Sequence, residues 1–423
     1  MNNSIRFVSV AVVLLGLCTD LAQAGQTCGD VSGQSTGARA SGDDAFACGT
    51  DAQADGTRSL ALGTRSRATD ADTVAVGTDA QASGLGGLAV GSQSAASGRR
   101  STAIGTGSAA SGDLSTAIGG NSIASGANST ANGYQARATR QGATALGNQA
   151  LASAESTTAV GQLAAATAVQ STAVGTAAQA TGTRSSALGT RAEASGDDST
   201  AIGEEADASG LNASAFGAQA VASGENSTAA GQGARASGAN STANGQGAVA
   251  SAQATTAVGQ GAVASSANAV ALGSNASASA ANSVALGGGS TNDRANTVSV
   301  GSASNQRQIT NVANGTQRND AVNFGQFTDG LTDLRGYVDR RFFEQDERID
   351  RFGAMNAAMS TMLASASGIP SDNRVAAGVG FSGGESAFAV GYQRKLSERA
   401  TFTLGGSFTN DESSAGLGFG FGW

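Results

Sequence analysis

Histidine is absent from this chain of 423 residues, and proline and tryptophan occur once each. The lack of histidine removes the commonest general base and metal ligand of proteins. A single proline beside 62 glycines, without a three-residue period, excludes collagen. These absences predict a protein that is not an enzyme and that carries no cofactor or metal site.

Positive charge is also scarce. The net charge is −8, and the Lys and Arg residues are scattered rather than clustered, so we expect no nucleic-acid partner. Several acidic residues stand in adjacent pairs, and neighbours on a strand face opposite sides, so these pairs predict solvated charge rather than a catalytic dyad. The pairs are Asp43-Asp44, Asp197-Asp198 and Glu204-Glu205.

The chain begins with the pattern of a secretory signal. Phe7–Leu17 is an apolar run too short to span a bilayer, and Ala22-Gln23-Ala24 suits signal cleavage. We therefore predict a signal peptide over residues 1–24. In the oxidising compartment beyond it, Cys28 and Cys48 could form a disulfide. Two buried or unpaired thiols are the alternative that the spacing leaves open.

What the chain has in abundance is glycine at a fixed interval. Nineteen glycines recur every fourteen residues from Gly49 to Gly301, with no insertion or deletion, because 301 − 49 = 252 = 18 × 14. A register this strict is typical of a solenoid, in which each unit is one coil stacked on the next. The repeats therefore predict a long stack of identical coils.

One unit, Ser199–Gly210, shows how a coil is built. Ala201 is followed by the apolar Ile202, and Ala206 and Ala208 alternate with polar residues. Alternation with period two indicates strands with one buried face, so each coil should hold two short strands and a thin alanine core. Glycine at the corner, as at Gly196, Gly210 and Gly224, is expected to let the backbone turn.

Larger apolar residues recur at one position of the repeat and predict a continuous stripe for side-by-side association. They are Leu62, Val76, Val90, Ile104, Ile118, Leu146, Val160, Val174, Leu188, Ile202, Phe216, Val258, Leu272 and Leu286. Asn132 and Asn244 replace the apolar residue in near-identical contexts eight units apart. Their side chains could form a ligand or ion site, or could bond across an oligomer axis and fix the register of the chains.

The last hundred residues differ, since eleven of the fourteen Phe lie from Phe324 onward. Apolar residues spaced by three and four predict a helix from about Thr328 that ends at Gly368-Ile369-Pro370, with the charges of Glu344–Arg351 on a solvated face. Four strand-like segments follow: Arg374–Ser382, Ser386–Lys395, Thr401–Asn410 and Ser414–Trp423.

These four segments have the length of strands that cross an outer membrane. In the last one, Leu417, Phe419, Phe421 and Trp423 alternate with glycines, which suggests that something bulky passes the glycine face. Four strands cannot close a barrel, and lipid does not tolerate open edges. Several chains should therefore share one barrel, with their helices in the lumen.

The chain resembles the YadA-like trimeric autotransporter adhesins of Gram-negative bacteria over nearly all of its mature length. The neck of that family is similar to Ile309-Thr310-Asn311-Val312 and Asp320-Ala321-Val322-Asn323, and its anchor to Ala377-Gly378-Val379-Gly380, Ala387–Gly391 and the terminal Trp423. The resemblance implies an all-β fold with a helical stalk, in which a head of left-handed parallel β-rolls is followed by a neck, a short trimeric coiled coil and a twelve-stranded (3 × 4) transmembrane barrel.

On this resemblance the chain divides into six parts. They are a signal peptide (1–24), an N-terminal segment (25–44), head repeats (45–293), a neck (294–327), a coiled-coil stalk (328–352) and a membrane anchor (353–423). The implied location is the outer membrane and cell surface, reached through the periplasm. The implied partners are two further copies of the chain and the barrel-assembly machinery.

The resemblance also implies site residues. In one member of that family, collagen binding is attributed to repeats of the type Asn-Ser-Val-Ala-Ile-Gly-x-x-Ser, which Asn282, Ser283, Val284, Ala285, Leu286, Gly287 and Ser290 match with Leu for Ile. The same residues are also what a coil needs to fold. Gly391 matches a lumen-facing glycine of the second anchor strand, or serves only local strand packing. Phe419, Phe421 and Trp423 are similar to the aromatic signal for barrel assembly.

Two functions follow as hypotheses. The first is an adhesin that exports and anchors its own head, binds host matrix proteins such as collagen, fibronectin or laminin, and aggregates cells. The second is a self-association protein of biofilms without a dedicated host ligand. An ice-binding or enzymatic solenoid is disfavoured, because the Ser-Thr pairs of the repeat precede the apolar stripe and no histidine is available for catalysis.

Overall fold

The computed structural model describes residues 25–28 and 37–423, which form two compact units, one ending at Arg307 and one running from Gln308 to Trp423. The predicted signal peptide lies outside the described residues. The first unit, here called the head, is a parallel β-solenoid of fourteen-residue coils, as the repeats predicted.

Each coil of the head contributes one strand to each of two parallel ladders, and every pairing joins residues fourteen apart except at the first strand. Ladder one consists of Gln26–Thr27, Phe46–Cys48, Leu60–Leu62, Val74–Val76, Leu88–Val90, Thr102–Ile104, Thr116–Ile118, Thr130–Asn132, Thr144–Leu146, Thr158–Val160, Thr172–Val174, Ser186–Leu188, Thr200–Ile202, Ser214–Phe216, Thr228–Ala230, Thr242–Asn244, Thr256–Val258, Val270–Leu272, Val284–Leu286 and Val298–Ser299. Ladder two consists of Arg39–Ala40, Gln53–Ala54, Arg67–Ala68, Gln81–Ala82, Ala95–Ala96, Ala109–Ala110, Ile123–Ala124, Arg137–Ala138, Leu151–Ala152, Ala165–Ala166, Gln179–Ala180, Glu193–Ala194, Asp207–Ala208, Val221–Ala222, Arg235–Ala236, Val249–Ala250, Val263–Ala264, Ser277–Ala278 and Thr291–Asn292.

Alanine fills the space between the ladders. The central residue of the ladder-one strands is alanine in every coil from Ala47 to Ala285, and each of these side chains is fully buried. Ala54 to Ala278 do the same from ladder two. Buried alanines contribute little apolar area each, so the unbroken hydrogen-bond ladders must supply much of the cohesion of the head.

The repeat glycines are fixed by two independent constraints. From Gly49 to Gly287 they have φ between +107° and +142°, which L side chains rarely adopt. A Cβ on Gly203 would also lie 2.6 Å from the carbonyl oxygen of Gly217 in the next coil. The corner glycines work differently from our expectation. Gly196 has no positive φ; instead, its Cβ would lie 2.0 Å from the Gly210 carbonyl oxygen, so close stacking requires glycine there.

The positions that do turn the chain recur every seventh residue. From Asp44 to Asn296 each has φ between +52° and +69°, so every coil has one left-handed residue at each of its two edges. Asn, Asp and Gly tolerate this conformation best. Two edges of turns therefore separate the ladders, edge one containing Asp198 and edge two containing Glu205.

The second unit is a helix packed on an antiparallel sheet. The helix runs without a break over Phe324–Ser367, four residues earlier than expected, because the Asn323 side chain caps it by accepting from the Gln326 amide. It ends at Gly368, as predicted. The four strands are Asn373–Ser382, Glu385–Ser397, Ala400–Phe408 and Ser413–Phe421, paired in chain order and called the first to fourth anchor strands.

Among the described residues, no helix is both long and apolar enough to cross a membrane.

Candidate functional surfaces of the head and the anchor

Ladder one carries the predicted apolar stripe, here called the apolar column. Its members lie in direct register from coil to coil, and the side chains remain partly exposed; the most exposed of them range from 36% at Ile118 to 42% at Leu286. Ala230, which the sequence analysis did not single out, also interrupts it, directly after Phe216. The apolar column thus gives the head one long, partly exposed apolar face that is interrupted at Asn132, Ala230 and Asn244.

The predicted ligand motif is mostly part of the coil itself. Ser283 and Ala285 are buried, and the Ser283 hydroxyl donates to the Ala280 carbonyl. Ser290 is also buried; it donates to Leu286 and accepts from the Arg307 guanidinium, and Gly287 has φ of +107°.

Three motif side chains reach the surface. Val284 and Leu286 point outward from ladder one, on the face of the apolar column. Asn282 lies at edge one in the left-handed conformation. Its amide accepts from Asn268 and donates to Asn296, so it belongs to an asparagine ladder along this edge.

The edges carry further ladders of polar side chains that the sequence analysis missed. Arg184 donates two hydrogen bonds to Asp198, the residue fourteen positions on, at 2.5 and 2.6 Å. The hydrogen bonds from Arg184 lower the pKa of Asp198. On edge two, hydrogen bonds from Gln219 and then Arg191 lower the pKa of Glu205. The seven-residue recurrence of Asn, Asp and Gly was the sequence signal for these edges.

The beginning of the head is held by a disulfide. Cys28 and Cys48 are bonded, with Cα atoms 4.9 Å apart. Cys48 occupies the position of the apolar column in the coil where Phe46–Cys48 pairs with Gln26–Thr27. Of the two alternatives for these cysteines, the disulfide is the one that forms. It joins the first strand to the coil that follows.

In the anchor, glycines let the helix lie against the sheet. A Cβ on Gly380 would lie 2.2 Å from the Ala354 carbonyl oxygen, and one on Gly378 would lie 2.4 Å from that of Ala358. Gly391 faces a side chain instead, with the Met362 sulfur 2.5 Å from its would-be Cβ. A bulky neighbour is predicted for the glycines of the last strand; within one chain the helix instead lies against glycines of the first two strands, and its backbone comes closer to Gly378 and Gly380 than to Gly391.

The fourth anchor strand is not covered in this way within one chain. Gly416 is the nearest of its glycines to the helix, at 3.8 Å from the Met359 methyl group to a would-be Cβ. Phe419 packs beside Phe402 with ring centroids 5.1 Å apart, while Phe421 and Trp423 are strongly exposed. Trp423 itself lies beyond the strand, which ends at Phe421. This strand is left with an open edge and an open face.

The charged run of the helix is only partly solvated, which corrects our expectation. Arg351 is 13% exposed and lies 3.7 Å from carboxylate oxygens of Glu385, the first residue of the second anchor strand, and of Asp411, in the turn before the fourth. Arg348 Nε lies 3.0 Å from Glu412 Oε1. These contacts, here called the helix–turn clasp, join residues far apart in the sequence, so periodicity could not reveal them.

A repetitive head followed by a helix that lies on a glycine-lined sheet is the architecture of an anchored surface protein, and family profiles match each part. The description "YadA head domain repeat (2 copies)" matches fourteen segments, most of them overlapping, between residues 40 and 290. "Coiled stalk of trimeric autotransporter adhesin" matches residues 308–342, and "YadA-like membrane anchor domain" matches residues 366–423.

The chain belongs to the YadA-like trimeric autotransporter adhesins, since the head profile alone covers more than half of it. It is a homotrimeric adhesin of the Gram-negative outer membrane, of a structural rather than an enzymatic kind. Among solved structures it is similar to the collagen-binding domain of the Yersinia adhesin YadA, with 22% identity, 60% of this chain and 86% of that chain covered, and a TM-score of 0.18. No curated protein matches the chain.

Proposed function

We propose that this protein attaches the bacterium to host extracellular matrix or to host cell surfaces, and that it also holds bacteria together. The observation that carries the proposal is the uniformity of the head: the same outward positions recur in register along ladder two and both edges, coil after coil. Weak contacts repeated along a head and across three copies give avidity that no single contact supplies.

The ligand-facing surface is proposed to be ladder two and the edges. The apolar column is reserved for the partner copies, because a face of that length would not remain exposed on a stable surface protein. Of the family motif, Asn282 is then the side chain that a ligand such as collagen, fibronectin or laminin could reach, since it lies at edge one. Val284 and Leu286 would face the partner copies.

Self-association without a host ligand is the second candidate. The observation in its favour is that the head has few aromatic residues, and aromatic side chains dominate tight protein interfaces. Tyr134 is 51% exposed at edge two, whereas Phe46 and Phe216 lie on ladder one. Such a surface suits many weak contacts between like heads as well as contacts with a host protein.

Export and anchoring are proposed to be functions of the same chain. The sheet of one copy leaves its fourth strand open, so three copies would supply twelve strands and close the barrel around three helices. The head would pass through this barrel from the periplasm, with Phe419, Phe421 and Trp423 presented to the barrel-assembly machinery.

The test is to display the protein on a non-adherent bacterium and to measure retention on collagen, laminin, fibronectin or albumin, together with clumping. The matched control lacks residues 64–273, which removes whole coils because 273 − 63 = 210 = 15 × 14 and keeps both ends of the head. Selective retention that is lost in the deletion supports the adhesin. Clumping without selective retention favours self-association, and retention unchanged by the deletion contradicts both.

A further inference from the structure

Two rungs of the apolar column are amides. In the ladder register Asn132 stands between Ile118 and Leu146, and Asn244 stands between Ala230 and Val258. Both side chains are exposed, and neither forms a side-chain hydrogen bond within the part of the chain that the structure describes. Each amide is therefore a polar interruption of an apolar face and has no partner in its own chain.

The two rungs share one local sequence. Gly126–Gly133 and Gly238–Gly245 are identical, Gly-Ala-Asn-Ser-Thr-Ala-Asn-Gly. In both, the strand is Thr-Ala-Asn with the alanine buried, so both outward side chains of the rung are polar. The exact repetition of one polar rung after eight coils indicates a role for the asparagine, which the chance loss of a single apolar side chain would not produce.

The partner of these amides must come from other copies of the chain. The protein is a homotrimer through its stalk and anchor, and the apolar column is the long, partly exposed face of the head that a partner copy would cover. Covering that face removes water from Asn132 and Asn244. An amide that loses its water without gaining a partner destabilises the assembly.

Alignment of the copies is the difficulty that the amides address. Because every coil repeats the last, an apolar column slides by one coil without losing its apolar contacts. The same slide places Asn132 against Ile118 or Leu146 of a partner and leaves it unpaired. Only a slide of eight coils would bring Asn132 opposite Asn244, and that slide would leave eight coils of each copy without a partner.

We propose that the three Asn132 side chains, and likewise the three Asn244 side chains, meet between copies and hydrogen-bond to one another as two amide layers that set the axial register of the heads. Each layer is incomplete without the partner copies. A single polar residue in an apolar seam fixes register in this way in coiled coils. The proposal rests on the homotrimer and is independent of what the head binds.

The first test is thiol cross-linking of the full protein on the cell surface. Asn132→Cys and, separately, Asn244→Cys should give disulfide-linked copies under mild oxidation, because a disulfide forms only where the Cβ atoms lie about 4 Å apart, less than the spacing of one coil. Gln179→Cys, which is exposed on ladder two, should not. Copies carrying Asn132→Cys produced together with copies carrying Ile118→Cys should show no link between positions 132 and 118. A 132–118 link as strong as the 132–132 link, or no 132–132 link, would overturn the proposal.

The second test places charge in the layer. Asn132→Asp combined with Asn244→Asp brings like charges together in each layer, so the displayed trimer should dissociate, or its head become protease-sensitive, at a lower temperature than the parent. Asn275→Asp is the control, because Asn275 is exposed at edge two and not on the apolar column. Asp is tolerated in this left-handed conformation, since Asp79 adopts it at the equivalent position of another coil. Equal behaviour of the layer variant and the control would contradict the amide layers.

Discussion

At the scale of single residues, the stacking of the head depends on positions that have no Cβ atom. The would-be Cβ of Gly203 meets the backbone of Gly217, which belongs to the next coil and cannot move without disturbing the stack. The strict period was visible in the sequence and predicted coils correctly. The reason for each glycine was not, since φ and inter-coil distance are properties of the folded backbone; the role given to Gly196 was wrong for this reason.

Gly203→Ala should destabilise the head, by roughly 1–3 kcal/mol for the strained backbone alone, with the contact to Gly217 in addition. The control is Gly233→Ala, because a Cβ there meets nothing within 4 Å and Ala177 already occupies such a left-handed position with φ of 55°. The measurement is the temperature at which the displayed head becomes sensitive to protease. Equal shifts for the two variants would mean that stacking distance does not constrain the repeat glycine.

At the scale of elements, the edges of the head are stabilised by ladders of side chains. Arg184 hydrogen-bonds Asp198 and lowers its pKa, so the pair stabilises the folded head above the ordinary carboxyl pKa of about 4. That stabilisation is lost as the pH falls through the lowered pKa of the folded state. Asp198→Asn should therefore lower the unfolding temperature at neutral pH, with the difference from the parent disappearing in acid.

A neutral ladder provides the control for this pH dependence. Asn212 donates to Asn226 on the same edge, so Asn212→Ala should change the unfolding temperature by the same amount at neutral and acid pH. The measurement is thermal unfolding of both variants and the parent from pH 7 to pH 2. A difference between Asp198→Asn and the parent that persists at the lowest pH would contradict an ionic contribution.

The contacts between helix and sheet in the anchor predict which of two glycines is more sensitive to substitution. Gly380→Ala should impair the anchor more than Gly391→Ala, because the first meets helix backbone at Ala354 and Ala358, whereas the second meets the flexible end of Met362. Overpacking of this kind costs about 1–3 kcal/mol. Heat resistance of the extracted trimer and the amount displayed at the surface measure both variants, with Gly368→Ala, which has open space around it and a φ of −83°, as the reference.

A second substitution, at Met362, should restore the anchor of the Gly391→Ala variant. Met362→Ala should restore display to Gly391→Ala and leave Gly380→Ala impaired, since only the first clash involves the Met362 side chain. Sequence reasoning had selected Gly391 by resemblance. The closer contacts of Gly378 and Gly380 depend on how the helix packs on the first strand. This packing cannot be predicted from the local sequence pattern. A larger loss for Gly391→Ala than for Gly380→Ala would refute this ranking.

The helix–turn clasp is tested by exchanging charges. Arg348→Glu and Glu412→Arg should each lower the heat resistance of the trimer, and the double variant should recover part of the loss, since Arg348 Nε and Glu412 Oε1 are 3.0 Å apart. A coupling on the order of 1 kcal/mol is expected for a partly exposed pair. Losses that simply add in the double variant would show that the two residues act separately.

At the scale of the whole molecule, the fourteen-residue period was enough to predict the head, because one repeated pattern sets strands, core and stacking together. The helix and four anchor strands also followed from periodicity, to within a few residues at their ends. The number of chains in the assembly could not be predicted in this way. Open strand edges required several copies, whereas the number three came from the family resemblance and not from residue spacing.

The final prediction concerns register along the head. Deleting Thr190–Gly203 removes fourteen residues and joins Gly189 to Glu204, so every later coil keeps its inward alanines. We expect surface display and protease resistance as in the parent, with a head shorter by about 4.8 Å, the spacing of one strand. Deleting Arg191–Gly203 removes thirteen residues and leaves one extra residue in a coil, which must either bulge or turn alanines outward. That variant should lose protease resistance at the junction, although it deletes less of the protein. Equal resistance of the two variants would show that the coils tolerate a change of phase, and the strict period would then need a cause other than stacking.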